Sequence, residues 1–230
     1  MFNEKILEFY STKLRGKSIL KEKIIRDFDG LDWKLVNPYN DDEIWDRFKW
    51  FVETYYKSDQ SQRNLIIALN PGRKGCSKTG IALTDEDILK NKLGYPGQIL
   101  KPEREPNTAQ RVYVVIEDVF HGDFHKFFSC YFLTNVFPFG VEDNQGNNMN
   151  DFLKLIKLPS VNGFSNGFIA DSINLFEPER ILCIGKESEK FITKNFPDKR
   201  HVPLPHPSDR RGFPEDKKER WRETLRKSCS

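Results

Sequence analysis

The stretch Leu65-Ile66-Ile67-Ala68-Leu69, closed at once by Asn70-Pro71-Gly72, decides the fold class of this chain. A short continuous apolar run that ends in turn residues is typical of a strand buried on both faces. Three later runs have the same form, and they cover residues 130–136, 180–184 and 201–204. Helical patterns separate the runs, so the sequence predicts an α/β three-layer sandwich. Its central, mainly parallel four-stranded sheet would be flanked by helices.

Most of the remaining sequence is predicted to be helical. Residues 1–60 form a predicted helical N-terminal extension, because apolar residues recur at helical spacing in 4–14, 18–28 and 42–55. Further helices are predicted over 148–158, 167–176, 188–195 and 215–227, and a long surface loop over 94–108. A chain of 230 residues without repeats or low-complexity segments is expected to form one domain over 1–230, which includes the N-terminal helices.

Composition and charge exclude several classes of protein. Charged residues make up 31% of the chain, and no stretch approaches the ~20 apolar residues of a spanning helix. The 19 Phe, 7 Tyr and 4 Trp can fill a core, which argues against disorder. The first six residues mix acidic and basic side chains where a signal peptide is apolar, so a cytoplasmic location is expected. With a net charge of only +3, any contact with nucleic acid must be local.

The cysteines and histidines do not suggest a metal centre. Cys76, Cys130, Cys183 and Cys229 are widely spaced and form no Cys-x-x-Cys pair. This spacing argues against a disulfide framework, a zinc ribbon and an iron–sulfur cluster, and favours reduced thiols. His121 and His125 are four residues apart, but no third ligand accompanies them. No metal and no cofactor is therefore expected.

Polar residues follow the predicted strands at the points where they end. In open parallel sheets, ligands bind just beyond the carboxyl ends of the strands. Two amides, Asn70 and Asn135, and one imidazole, His206, would meet at this edge together with glycine-bearing turns and several arginines. The set contains no Ser/His/Asp triad. It therefore predicts a polar binding site at the carboxyl edge of the sheet.

Three blocks at these strand ends resemble the uracil-DNA glycosylase superfamily. They are Leu-Asn-Pro-Gly-Arg-Lys-Gly-Cys-Ser-Lys-Thr-Gly at 69–80, Phe-Leu-Thr-Asn-Val-Phe-Pro at 132–138 and His-Pro-Ser at 206–208. They are most similar to the single-strand-selective monofunctional branch and its bacterial relatives. Order and spacing fit over 64–213, while the N-terminal helices carry no recognisable motif.

The resemblance implies a monofunctional DNA glycosylase that hydrolyses the N-glycosidic bond of uracil, leaves an abasic site and acts in base-excision repair. Asn70 would position the attacking water, because an amide cannot take its proton. His206 would donate a hydrogen bond to uracil O2, where negative charge collects as the base leaves. Asn135 offers an adjacent donor and acceptor, which suits O4 and N3–H of uracil.

Other residues of the resemblance would surround the flipped base. Gly72 would let the backbone approach the base, and Cys76 is a candidate for the pocket lining. The family places an aromatic residue where this chain has Leu83. Phe137 or another aromatic could stack on the base instead. The departure leaves the base range open between uracil, xanthine and hypoxanthine.

DNA, single- or double-stranded, is the expected partner of a monomeric protein that contacts no membrane. Extruding a base from the stack costs a few kcal/mol. Arg210, Arg211 and Phe213 are expected to fill the gap in the stack. The remaining predicted DNA contacts are Arg73, Lys74 and Lys78 in the first loop and Lys186, Ser188 and Ser208 near phosphates.

Two other functions compete with this interpretation. Residues 72–79 nearly match the phosphate-binding loop G-x-x-x-x-G-K-[ST], and the apolar run 112–116 with Glu117 and Asp118 imitates a magnesium-holding strand. Against an NTPase, Ser77 replaces the last glycine and Gly80 stands where a helix should start. The second alternative is a catalytically silent nucleic-acid-binding module that uses the same cleft.

Overall fold

The computed structural model describes residues 1–16, 24, 33–57, 62–72, 75–99, 108–143, 156–207 and 213–229. Its strands are β1 (Trp33–Val36), β2 (Asn64–Ala68), β3 (Tyr131–Asn135), β4 (Gly140–Asp143), β5 (Ile181–Ile184) and β6 (His201–Leu204). Its helices are α1 (Phe2–Leu14), α2 (Asp42–Tyr55), α3 (Cys76–Thr79), α4 (Glu86–Asn91), α5 (Thr108–Phe120), α6 (Phe124–Cys130), α7 (Pro159–Phe176), α8 (Gly185–Asn195) and α9 (Glu215–Ser228). Most of the predicted helices over 18–28 and 148–158 and most of the predicted loop over 94–108 lie outside these residues.

A parallel four-stranded sheet in the order β3-β2-β5-β6 forms the centre, which confirms the predicted fold class. In β2, Ile66 pairs with Leu133 of β3 on one side and Leu182 of β5 on the other. Every residue of β2, β3 and β5 is buried, as expected of strands covered on both faces. β6 is an edge strand, where a proline such as Pro203 is tolerated.

Helices cover the sheet and carry the peripheral layers. α7 packs on β2, α8 on β5 and β6, α6 on β3, and α9 on α5. In α5, Val114 is 43% exposed, whereas its neighbours Val112, Tyr113, Val115 and Ile116 are buried. This burial pattern has the period of a helix and not the alternation of a strand. The strand that would hold magnesium in an NTPase is therefore a helix. Within the described residues, no helix is long and apolar enough to cross a membrane.

A second, two-stranded sheet was not predicted. β1 pairs antiparallel with β4, with Trp33 opposite Asp143 and Val36 opposite Gly140. The prediction that residues 1–60 are helical throughout is therefore wrong over β1. Each strand has only four residues, and its partner lies far away along the chain, so no local pattern indicates the pairing.

The expectation of four reduced thiols is wrong for one pair. Cys130 and Cys229 form a disulfide with their Cα atoms 5.4 Å apart, whereas Cys76 and Cys183 are free and buried. The hydroxyl of Tyr131 donates to the carbonyl oxygen of Leu225 over 2.7 Å, so the end of α9 lies beside the start of β3. Spacing along the chain did not reveal this proximity. Among the described residues, no three His, Cys, Asp or Glu side chains form a group that could hold a metal ion.

Candidate active site

The ends of β2 and β3 are joined beyond the strands themselves. Asn135 lies opposite Ala68 in the ladder, and the amide of Phe137 donates to the carbonyl oxygen of Leu69 over 3.0 Å. Asn70 is two residues beyond Ala68, the last residue of β2, and lies in the bend that follows the strand. The two candidate amides, Asn70 and Asn135, are therefore carried by adjacent strand ends.

The turn after Asn70 is fixed by its own backbone. The carbonyl of Gly72 accepts from the amides of Gly75 over 3.1 Å and Ser77 over 3.4 Å. The side chain of Asn70 is half-buried, with Nδ2 3.4 Å from the carbonyl oxygen of Pro71. Gly72 is exposed, and a Cβ atom there would meet nothing within 4 Å. The turn thus leaves open space at Gly72, two residues after the candidate water-positioning amide.

The side-chain amide of Asn135 forms a hydrogen bond with Cys76. Asn135 is 3% exposed, and its Nδ2 donates to the Sγ of Cys76 over 3.6 Å. Cys76 is itself 2% exposed, and burial raises the pKa of its thiol to about 12. The sulfur therefore stays neutral and acts as a weak acceptor. Cys76, which was expected to line the pocket, contacts the candidate base-reading amide.

The loop that carries Leu83 is tightly tied. Leu83 has a φ of 57°, which is left-handed and unusual for a leucine. Thr79 Oγ1 donates to the carbonyl oxygen of Thr84 over 2.7 Å, and Thr84 Oγ1 lies 2.9 Å from the hydroxyl of Tyr113. A Cβ atom on Gly75 would stand 3.8 Å from the carbonyl oxygen of Thr84. The Leu83 loop therefore borders the turn that follows Asn70.

Three predicted contact residues are turned inward. The ring of Phe137 is wholly buried in the core. Ser188 Oγ donates to the carbonyl oxygen of Ile184 over 2.6 Å, so its hydroxyl is used within α8. Phe213 is 9% exposed and lies edge-on to Trp221 with ring centroids 6.3 Å apart. The described conformation does not support base stacking by the two rings or a phosphate contact by Ser188, because internal packing and hydrogen bonding already occupy them.

The other predicted DNA contacts divide into two groups. Lys78 on α3 and Lys186 in the first turn of α8 are exposed. Their amines extend from elements that follow the carboxyl ends of β2 and β5. The other predicted contacts lie outside the described residues, and they are Arg73, Lys74, Ser208, Arg210 and Arg211.

His206 follows β6 and rests on the start of α8. Leu204 pairs with Ile184, and two residues later the His206 ring packs against Gly185. A Cβ atom at Gly185 would stand 3.2 Å from Cδ2 of the ring. The His206 residue is exposed, so an imidazole at the carboxyl edge of the sheet is accessible.

Two hydrogen bonds that the sequence did not indicate flank this histidine. Trp221 Nε1 donates to the carbonyl oxygen of Pro205 over 2.9 Å. Arg111 Nη1 donates to the carbonyl oxygen of Pro207 over 2.8 Å. Proline has no N–H, so a Pro-His-Pro segment has few backbone donors of its own. Its carbonyl oxygens therefore need donors from other parts of the protein. That need was visible in the sequence, but the identity of the donors was not.

The phosphate-loop alternative does not match the local structure. α3, which forms the last four residues of the near-matching segment, ends at Gly80 with a φ of 72°. A phosphate-binding loop requires a helix that continues from the loop, because that helix N-terminus faces the phosphates. The segment instead forms a turn closed by a left-handed glycine.

Comparison with known proteins agrees with this geometry. The crystal structure of wild-type Pedobacter heparinus SMUG2 has the same fold, with a TM-score of 0.78 and 22% sequence identity, over 98% of this chain and 97% of that one. No curated protein sequence matches the chain. The family model of the uracil DNA glycosylase superfamily matches residues 55–227, which include the four-stranded sheet together with Asn70, Asn135 and His206. The chain therefore belongs to the uracil DNA glycosylase superfamily and is a hydrolase of the DNA glycosylase type.

Proposed function

We propose that this protein is a monofunctional uracil-DNA glycosylase of the single-strand-selective branch, which removes uracil flipped out of DNA and leaves an abasic site for base-excision repair. The observation that carries the proposal is the arrangement of Asn70, Asn135 and His206 at the carboxyl ends of β2, β3 and β6, along one edge of the sheet. The family model spans all three residues.

The reaction needs only these side chains and water. The bond between C1′ of the sugar and N1 of uracil breaks, and its electron pair leaves with the base. The oxygen of a water molecule bonds to C1′ and releases a proton, while the uracil anion later takes a proton at N1. Asn70 orients the water, and an N–H of His206 stabilises the charge that develops on O2. The chemistry requires no lysine nucleophile, so the strand stays intact.

Asn135 supports uracil as the preferred base. Its amide presents one acceptor and one donor side by side, which complement N3–H and O4 of uracil. Cytosine carries an amino group at position 4 and no proton on N3, so it would require the reverse arrangement. A site built to hydrogen-bond a particular edge rejects a base that leaves its buried groups unpaired. Lys78 and Lys186 would hold the phosphates of the flipped strand.

A labelled oligonucleotide with one deoxyuridine tests the activity. Under single-turnover conditions we expect a strand break at the deoxyuridine after hot alkali and none before it, because a monofunctional enzyme leaves the backbone intact. No break above that of a thymidine control would refute the proposal. DNA binding without base release would identify a silent nucleic-acid-binding module instead.

Substitutions test the assignment of the site. Asn70→Ala and His206→Ala should each lower the single-turnover rate by about 10²–10³, while DNA binding changes little. His201→Ala is the matched control, because His201 lies at the amino end of β6 with Nε2 3.1 Å from Thr193 Oγ1. It should keep the rate of the unchanged protein. Full rates in Asn70→Ala and His206→Ala would contradict the assignment.

A substrate panel tests the base range and the strand preference. We expect release of uracil from single-stranded DNA and also some release of xanthine and hypoxanthine, because O6 and N1–H of these purines present to Asn135 the same acceptor and donor as O4 and N3–H of uracil. An aliphatic Leu83 gives weaker stacking on the flipped base than an aromatic residue would. The difference in release rate between bases should therefore be small. Faster release of xanthine would reassign the preferred base while leaving the glycosylase activity intact.

A further inference from the structure

The Pro205-His206-Pro207 segment is held at both carbonyls by donors from two different helices. Arg111 of α5 donates to the Pro207 carbonyl oxygen, and Trp221 of α9 donates to that of Pro205, over 2.8 Å and 2.9 Å. Prolines on both sides restrict the backbone of the segment, since φ of each proline is fixed and a residue before proline avoids the helical region. Hydrogen bonds to these two carbonyl oxygens therefore allow the neighbouring helices to hold the segment in place.

The two donor helices also hold each other. Arg222 of α9 donates to Asp118 of α5 from Nη2 over 2.7 Å and from Nε over 3.1 Å. Trp221 is wholly buried, and Arg111 is half-buried. A fixed frame of α5 and α9 therefore stands on one side of the histidine, and Gly185 supports its ring on another.

The chemistry of His206 demands such a frame. A preorganised donor lowers a barrier only if it is already placed where negative charge develops. A misplacement of about 1 Å can cost about 10²-fold in rate.

We propose that Arg111 and Trp221 are positioning residues for His206, which act on the reaction by fixing the two carbonyls that flank it. The inference rests on the proposed glycosylase function. Arg111 supplies a charged, directional donor at the end that leads into the predicted DNA-contacting loop. Trp221 supplies a neutral donor at the end that leaves β6.

Kinetics of two variants test the inference. Arg111→Met and Trp221→Phe each remove a donor, and Phe retains most of the buried ring. We expect the single-turnover rate on a deoxyuridine oligonucleotide to fall about tenfold to a hundredfold, while the Kd for DNA stays within about twofold. Arg111→Lys should recover part of the rate, because lysine can still donate to the carbonyl. Arg226→Met is the matched control, because Arg226 lies on α9 with Nη1 3.5 Å from Glu219 of the same helix, and it should keep the full rate.

A double variant separates positioning from other roles. If Arg111 acts through His206, Arg111→Met should cost nothing further in a His206→Ala background. Multiplying losses would overturn the inference and indicate a separate contact of Arg111 with DNA. Equal loss in Arg226→Met would also overturn it, because a general effect of removing a positive charge from α9 would then explain the loss. Absence of uracil release by the unchanged protein would refute the proposed function itself, whereas full rates in both donor variants of an active enzyme would refute only the positioning role.

Discussion

Gly185 and His206 are in such close contact that a side chain at position 185 would have to displace the histidine by a few tenths of an ångström. A Cβ atom at position 185 would stand 3.2 Å from Cδ2 and 3.4 Å from Cβ of His206. The backbone of Gly185 is also left-handed, with a φ of 78°. The first residue of α8 therefore sets the position of the candidate electrophilic imidazole.

We predict that Gly185→Ala lowers both activity and stability. The left-handed backbone should cost about 1–2 kcal/mol of unfolding free energy once a Cβ is present. The added methyl also displaces His206, so the single-turnover rate should fall about tenfold or more. Gly122→Ala is the matched control, because Gly122 has the same φ of 78° and open space around its Cα. If both variants lost activity equally, strain rather than the contact with His206 would be the cause.

The contact between Cys76 and Asn135 makes a second prediction. Cys76→Ala removes the sulfur acceptor and leaves the Nδ2 of Asn135 buried without it, which should cost about 1–3 kcal/mol of stability. The freed amide would also read uracil less well, so the single-turnover rate should fall. Cys76→Ser retains an acceptor and should keep more activity than Cys76→Ala. Identical rates for the two variants would show that the sulfur does not orient the amide.

The strands and the site side chains were predictable for one shared reason. Each strand of the large sheet contains a short, mostly apolar run that is followed by turn residues, and parallel strands end at a common edge. Asn70, Asn135 and His206 could therefore be placed together from local sequence alone. The segment 112–118 resembles a strand in the sequence because it is rich in β-branched residues. In the structure it is helical, and the exposure of Val114 between buried neighbours shows the helical period.

The supporting residues could not be predicted in this way. Arg111 and Pro207 are 96 positions apart, and Trp221 and Pro205 are 16 apart. Neither pair has a spacing that marks a hydrogen bond, since each contact exists only after α5 and α9 have packed together. Phe213 was assigned to DNA from its place after a basic loop, but packing on Trp221 buries it.

We predict that the Cys130–Cys229 disulfide stabilises the fold without serving the reaction. It joins residues 99 positions apart, and a native disulfide contributes about 2–4 kcal/mol, chiefly by restricting the unfolded chain. Cys229→Ser should lower the free energy of unfolding in urea by this amount. Activity should persist, because the Leu225 carbonyl still accepts from Tyr131 and Trp221 stays buried.

Reduction provides the control for the disulfide. With dithiothreitol present, Cys229→Ser and the unchanged protein should unfold at the same urea concentration. A persistent difference under reducing conditions would assign the effect to the serine itself. A large loss of activity in the folded variant would mean that the disulfide also places α9 and its Trp221.

Alkaline pH should unfold this protein through buried thiols and phenols. Burial raises the pKa of Cys76, Cys183 and Tyr55 to about 12. Burial raises the pKa of five other tyrosines well above the usual value of a phenol. They are Tyr10, Tyr39, Tyr56, Tyr113 and Tyr131. As pH rises past the ordinary values of 9.0 for a thiol and 10.0 for a phenol, the unfolded chain releases protons that the folded chain retains.

The free energy of unfolding should therefore have its full value below about pH 9 and decrease steadily as the pH rises towards about 12. Urea titrations at a series of alkaline pH values measure the decrease, and phenolate absorbance reports tyrosine ionisation. Because ionisation requires exposure of the rings, most of the phenolate signal should appear together with loss of the far-UV circular dichroism. In denaturant the same tyrosines should ionise near pH 10, as ordinary phenols do. A full phenolate signal near that pH in a chain that keeps its native dichroism would contradict the prediction.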